Sequence, residues 1–554
     1  MARSDPARDH APRMRRSVPV LAALALSCLA LPSTAQRGEA PLVTAAEASG
    51  FTQTSRLEDV RAFLDAVVAR SEGARIEVET FGQSLEQRDL LHVRVRPAEG
   101  ATRPSDGPLR VLVVADIHGG EVCGKEAVQM LLREIAAGEH ANLVAACDLH
   151  FVPIYNVDGN ERIDTANRPN VNGPVGGLGA RENAQGLDLN RDCVKTESPE
   201  FRALLGLMES IDPHVLLDLH TTNGSPHGYH LTYAPPLATN VDAALDRYLR
   251  QQLLPAVRTA VADRHGYRVF DYGNFSRSEP RAYATFDHRP RFLTNYYGLR
   301  NRFAVLSEAY AYEPFETRVR STRAFVLETI RAFAADLPRV AALCAAADRQ
   351  CSDAPSAIRF GWDTTLIEGD EVEILVGVWD QVPLEGRSQR TLRRSELTRE
   401  TMRLQNGFSS RAGHALPAGG WAIPAPAPEL LTVLQSHGIE VRLLDVLFAG
   451  DVELFVPESG DKSPRAPWGA KTRTIELRGR FLPEEAALPP GTAFVPSRQR
   501  LARLAAQLLE PHSEDGLATW GMFEAGTTFA KDAPPYGRYP VLRLPSTDGL
   551  VFRR

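Results

Sequence analysis

A chain of 554 residues that is 43% apolar, 24% charged and 7% aromatic has a globular composition, which excludes a disordered, collagen-like or repeat-only protein. Its 63 lysines and arginines against 69 aspartates and glutamates leave a formal charge of −6, so no basic excess marks a nucleic-acid partner. The length suits roughly two to four domains, each with its own core.

The first element is not part of the fold. Arg13, Arg15 and Arg16 precede an apolar run over residues 17–31, and Ser33-Thr34-Ala35 supplies a small-residue exit. This pattern predicts a secretory signal peptide over residues 1–35, cleaved after Ala35, and a secreted or periplasmic mature chain. The apolar run is shorter than the ~20 residues a membrane span needs, and no later stretch is long and apolar enough. Of six cysteines, Cys123, Cys147, Cys193, Cys344 and Cys351 follow the leader. Cys344 and Cys351 are the nearest pair for a disulfide; free half-buried thiols are the alternative. No CxxC is present, so cysteine-ligated zinc is not expected.

Leu57, Val60, Phe63, Leu64, Val67 and Val68 form one stripe of a helix over 55–69. Alternation predicts strands near 75–81 and 89–95, and the unbroken apolar run 109–115 reads as a strand buried on both faces. A glycine-containing turn leads to a helix through Val128, Leu131, Leu132 and Ile135 that ends at Gly138. A strand at 148–154 and a long loop from 156 to 187 come next. Ser198-Pro199-Glu200 starts a helix, with a cap, a proline in the first turn and a carboxylate on the dipole. Residues 215–219 and 303–306 read as further buried strands, and 318–336 as a closing helix. Strands alternating with helices predict an α/β fold, a mixed sheet with helices on both faces. Beyond about 350 the texture changes. A strand is expected at 371–378, a short rigid linker at the Pro-Ala repeat 424–428, a helix at 428–437 stopped by Gly438, and another from Ser497. The expected organisation is a domain over 41–345 followed by a smaller α+β domain over 355–554, whose role the sequence does not state.

The chemistry concentrates at strand ends. Asp116-Ile117-His118-Gly119-Gly120-Glu121 follows a buried strand, where open α/β sheets expose reactive side chains. His118 and Glu121 are close enough in the chain to reach one metal ion, and His220 ends another buried strand. Two histidines and a glutamate with an open fourth position form a catalytic zinc set. HxxE alone is a weak signal in a chain with 14 histidines; three features strengthen it. Asp188 can accept from the second nitrogen of a ligand imidazole and so fix its tautomer. Asn190-Arg191 pairs an amide with a guanidinium fork that suits a planar carboxylate. Glu308, at the end of a buried strand, can accept a proton from a water whose acidity a metal raises.

His118-Gly119-Gly120-Glu121, Asn156-Val157-Asp158-Gly159, Asp188-Leu189-Asn190-Arg191, Leu219-His220-Thr221 and the strand ending at Glu308 resemble the zinc metallocarboxypeptidase family, the carboxypeptidase A-like peptidases, over about residues 50–340. The resemblance implies a mixed sheet sandwiched by helices, with one zinc ion per chain at its carboxyl edge. It implies His118, Glu121 and His220 as ligands, Asp188 as the partner of His118, Asn190 and Arg191 as the grip on the substrate's terminal carboxylate, and Glu308 as the general base. The family also polarises the scissile carbonyl with an arginine; Arg168 fits the spacing, with Arg181 its rival. A substrate-capping tyrosine is not placed by spacing: Tyr296, Tyr297 and Tyr283 are the candidates. The expected activity is that of an exported zinc carboxypeptidase acting on peptides with a free terminal carboxylate. A related zinc amidohydrolase of cell-wall peptides or N-acyl amino acids shares the ligands and base. A non-catalytic zinc-containing binding protein would not need Glu308 beside the metal.

Overall fold

In the computed structural model the described residues are 41–98, 104–105, 107–222, 224–277, 279–384, 387–467, 469–523 and 539–553. The signal peptide expected over 1–35 lies outside them.

An eight-stranded sheet runs in the order Ala74–Gln83, Asp89–Pro97, Cys147–Val152, Leu109–Ala115, Val215–Thr222, Phe303–Tyr310, Leu231–Ala234, Val269–Asp271. Its four central strands are mutually parallel, and antiparallel pairs lie on either side of them. The sheet is therefore mixed. Along Leu109–Ala115 the side chains alternate between two cores: Val111, Val113 and Ala115 pack into one, Leu112 and Val114 into the other. A strand buried on both faces has to be apolar throughout, and this one nearly is.

On the first face lie the helices Leu57–Arg70, Cys123–Ala136 and Phe315–Ala335, and on the second Pro199–Ile211 and Leu293–Gly298. Ser198 caps Pro199–Ile211 by accepting from the Phe201 amide at 3.1 Å. The closing helix is followed at once by a second, Leu337–Asp353, which sequence reading missed; Pro338 in its first turn begins it afresh. Cys344 and Cys351 both sit on this helix, and all five described cysteines are free. Seven residues of helix rise about 10 Å, beyond the reach of a disulfide, so proximity in sequence misled.

Further sheets from Arg359 onward form an extra domain, with a six-stranded sheet that contains the Phe448–Lys462 and Ile475–Leu488 hairpin. The helix expected from Ser497 starts later, at Ala502, and runs to Leu509; Ser497 to Leu501 form turns. The extra domain is woven into the first. Ala282–Ala284 pairs in parallel with Arg387–Gln405, and one apolar core joins Tyr296 and Leu205 to Trp421 and Leu504. From Leu42 onward the described chain is one compact unit. Among the described residues no helix is long and apolar enough to cross a membrane.

Candidate active site

The site grows from the carboxyl end of Leu109–Ala115. Asp116 takes a left-handed backbone, φ +61°, and turns the chain out of the strand. Its carboxylate is buried 4.0 Å from the Lys125 ammonium, with no hydrogen bond to either oxygen, and burial pushes its carboxyl up to about 7. Gly119 and Gly120 then pass close against other backbone. A Cβ on Gly119 would lie 2.3 Å from the Gly159 carbonyl carbon, and one on Gly120 would lie 2.6 Å from the Gly179 oxygen. No side chain fits at either position. The Asn156-Val157-Asp158-Gly159 segment serves this packing: the Asn156 amide donates to the Arg181 carbonyl at 3.0 Å, and its oxygen accepts from Gly159 N at 2.9 Å.

Three side chains separated by up to 102 positions meet at this loop. Glu121 sits between two imidazoles, with Oε1 2.8 Å from His118 Nδ1 and Oε2 2.8 Å from His220 Nδ1. All three are buried, and one ligand atom from each lies within 4.8 Å of the others. Two nitrogens and a carboxylate converging from rigid elements are a donor set that fits a zinc ion. Each histidine is held on its far side. His118 Nε2 is 3.0 Å from Asp188 Oδ1, and His220 Nε2 is 3.0 Å from Asp218 Oδ2. Sequence reading missed Asp218. Its signal was the Asp-Leu-His spacing, since residues two apart on a strand share a face.

The local charges reinforce one another. Burial alone would raise the carboxyl groups of Glu121 and Asp188, yet both are held far below the usual carboxylate range, Glu121 by Arg168 and His118 and Asp188 by His118 and Arg181. Burial would likewise lower His220, but Asp218 and Glu121 hold it well above its ordinary value. Arg168 donates to Glu121 Oε1 at 2.5 Å; Arg181 lies 3.6 Å from the same oxygen and grips Asp188 at 2.8 Å. Both rival arginines are therefore in the site.

Glu308 lies opposite His220 in the parallel pair. Its Oε2 is buried without a hydrogen-bond partner. Burial first, with Glu121 and Asp218 adding and His220 opposing, pushes its carboxyl up to about 8. Asn190 and Arg191 are also present. Asn190 accepts from Leu293 N at 2.8 Å, and the Arg191 guanidinium stacks 4.2 Å above the Phe292 ring.

His118, Glu121, Arg168, Arg191, His220 and Glu308 all line one cavity of about 480 Å³. None of the three candidate tyrosines lines it. Tyr297 donates to the Pro213 carbonyl, Tyr296 contacts His437, and Tyr283 is packed in a separate apolar cluster. Tyr272, just past the strand Val269–Asp271, lines the cavity instead, its phenol pushed up by burial to about 12. The extra domain reaches in as well. Pro467 lines the cavity, and Asp188 N donates to the Gly469 carbonyl at 3.3 Å.

Residues 60–223, the span that holds His118, Glu121 and His220, match the family model described as zinc carboxypeptidase. Carboxypeptidase 2 of Trichophyton rubrum is 22% identical over 516 residues, covering 89% of this chain and 87% of that protein. Carboxypeptidase Z of Mus musculus is 33% identical over 132 residues, 22% of this chain and 19% of that protein. Among solved structures, a metallo-carboxypeptidase from Pseudomonas aeruginosa in complex with (2-guanidinoethylmercapto)succinic acid aligns with 21% identity and a TM-score of 0.39, over 52% of this chain and 70% of that one. The similarity to the zinc carboxypeptidase family model is confined to residues 60–223.

Proposed function

We propose that this chain is an exported zinc-dependent carboxypeptidase that hydrolyses the C-terminal peptide bond of peptides, with its leader at 1–35, its catalytic domain over 41–345 and an accessory domain over 355–554. His118, Glu121 and His220 hold one zinc ion per chain in this reading, and Asp188 and Asp218 fix the tautomers of the two imidazoles. The ion, when bound, supplies a Lewis acid that brings the pKa of water towards neutrality. Glu308 accepts the proton of the attacking water and returns it to the leaving amine. Its burial supports that role, because a carboxyl with raised proton affinity is matched to a transfer near neutral pH. Arg168, with Arg181 beside it, donates to the scissile carbonyl oxygen as charge develops there; a preorganised donor of this kind is worth ~3–4 kcal/mol of barrier. Asn190 and Arg191 receive the free carboxylate, and Tyr272 walls the cavity beside Glu308.

One observation carries this reading: Glu121 bridges the imidazoles of His118 and His220 in the same cavity as Glu308, whose Oε2 is buried without a hydrogen-bond partner. The test compares two peptides that differ only at the carboxyl end, one free and one amidated, with products read by mass. The free peptide is expected to lose its last residue while the amidated one stays intact. Equal cleavage of both would favour an amidohydrolase that ignores the terminal carboxylate.

A further inference from the structure

Four guanidinium groups line the cavity: Arg168, Arg181, Arg191 and Arg291. The first two turn to the carboxylates of the metal site, Glu121 and Asp188. Arg291 belongs to no motif, and it is held from the extra domain. Asp515 accepts from the Arg291 backbone amide at 2.8 Å and from Nε at 3.0 Å, and lies 2.7 Å from Nη2. Asp515 is fully buried and Arg291 is 5% exposed. The Arg291 guanidinium also stacks over the Trp520 ring at 4.8 Å, while Lys195 lies over the same ring at 4.7 Å. The next residue, Phe292, is the ring on which Arg191 rests, so the Asp515 grip fixes one cation directly and the platform of a second. Besides Glu121 and Glu308 the cavity has one acid, Asp287, and it is already engaged: Arg289 donates to it from backbone and side chain at 3.0–3.1 Å.

We infer that Arg291 is a specificity-determining residue, positioned by Asp515 of the extra domain, and that it directs the cavity towards peptides whose terminal residue has an acidic side chain and against those ending in lysine or arginine. A carboxylate side chain entering here meets a fixed guanidinium whose ordering cost is already met by the Asp515 pair. A cationic side chain meets arginines and an aspartate already bound to Arg289. This inference rests on the carboxypeptidase reading above and adds its substrate class.

The test uses the zinc-loaded full chain and three peptides identical except for a terminal Glu, Phe or Lys. Wild type is expected to favour Glu over Lys by about tenfold or more in kcat/KM. Arg291→Gln should erase the Glu preference over Phe, chiefly through KM, with zinc content unchanged. Asp515→Asn should shift the same ratio in the same direction, and Asp515→Glu should restore part of it. Comparing Glu with Phe inside one variant removes any uniform loss from imperfect folding. Turnover that favours Lys, or a Glu-to-Phe ratio untouched by both Arg291→Gln and Asp515→Asn, would overturn the inference. A wild-type chain inert on all three peptides would sink the carboxypeptidase reading itself, and this one with it.

Discussion

Glu308 and His220 are register partners in two parallel strands, and Leu306 and Asp218 are partners one pleat earlier. Main-chain hydrogen bonding thus places the proposed base, one proposed metal ligand and that ligand's carboxylate support in a single patch of sheet. Strands hold such geometry more tightly than loops do.

The first prediction follows from that patch. Glu308→Gln keeps side-chain shape and strand pairing but removes the proton acceptor. Its kcat is expected to fall about 10²–10⁴-fold, with KM for a free-carboxyl peptide changed far less. Steady-state kinetics on purified variant and wild type decide it. A kcat near that of wild type would remove Glu308 from the proton transfer.

Asp218 was the unforeseen support of His220. Asp218→Asn leaves an isosteric group on the strand but weakens the acceptor facing Nε2. Zinc affinity, measured by competition with a chromogenic chelator, should drop about 10–100-fold. An unchanged affinity would reduce Asp218 to a packing residue.

The turn of the extra domain beside Asp188 has its own test. Gly469 has φ +79°, and a Cβ there would lie 2.5 Å from Asp188 Cβ. Gly469→Ala combines a left-handed backbone cost of about 1–2 kcal/mol with a push on the acceptor of His118. Zinc affinity should weaken along with thermal stability. If only stability falls, the contact does not reach the metal site.

The pH dependence of stability has a traceable contributor in His437. The ring is buried, donating through Nε2 to the Val194 carbonyl at 3.0 Å and accepting at Nδ1 from Tyr296 at 2.8 Å. Burial, opposed by Val194 and assisted by the Arg300 charge, lowers its pKa from 6.5 to about 4. The unfolded chain therefore binds this proton near pH 6.5 and the folded chain only near pH 4. Between those values the unfolded state holds more protons, and stability falls with falling pH at about 1.4 kcal/mol per pH unit. Below about pH 4 this contribution flattens. Urea unfolding of wild type and His437→Gln at pH 7, 5.5 and 4 should show a shallower loss in the variant; parallel curves would contradict the assignment.

Much of the central sheet was legible because strands buried on both faces must be mostly apolar, as 109–115 is apart from Arg110 and 215–219 is apart from Asp218. The juxtaposition of His118, Glu121 and His220 was legible through residue type at strand ends. Glu308 was legible for the same reason, whereas Asp188 lies before a short 3-10 turn and was reached through the motif it opens. Tyr272 was not legible: the strand just before it is three residues long and carries no periodicity. Arg291 and Asp515 are 224 positions apart, and nothing local joins them. The extra domain looked separable because composition changes near 350, whereas its strands and core interlock with the first domain through contacts that no local pattern encodes.

Elemental analysis of the purified chain after zinc loading and exhaustive desalting tests the ligand set most directly. One zinc per chain is expected in wild type and in Glu308→Gln, and none in His118→Ala or His220→Ala. A wild-type chain that retains no zinc, or histidine variants that retain it fully, would contradict a metal centre built on these residues.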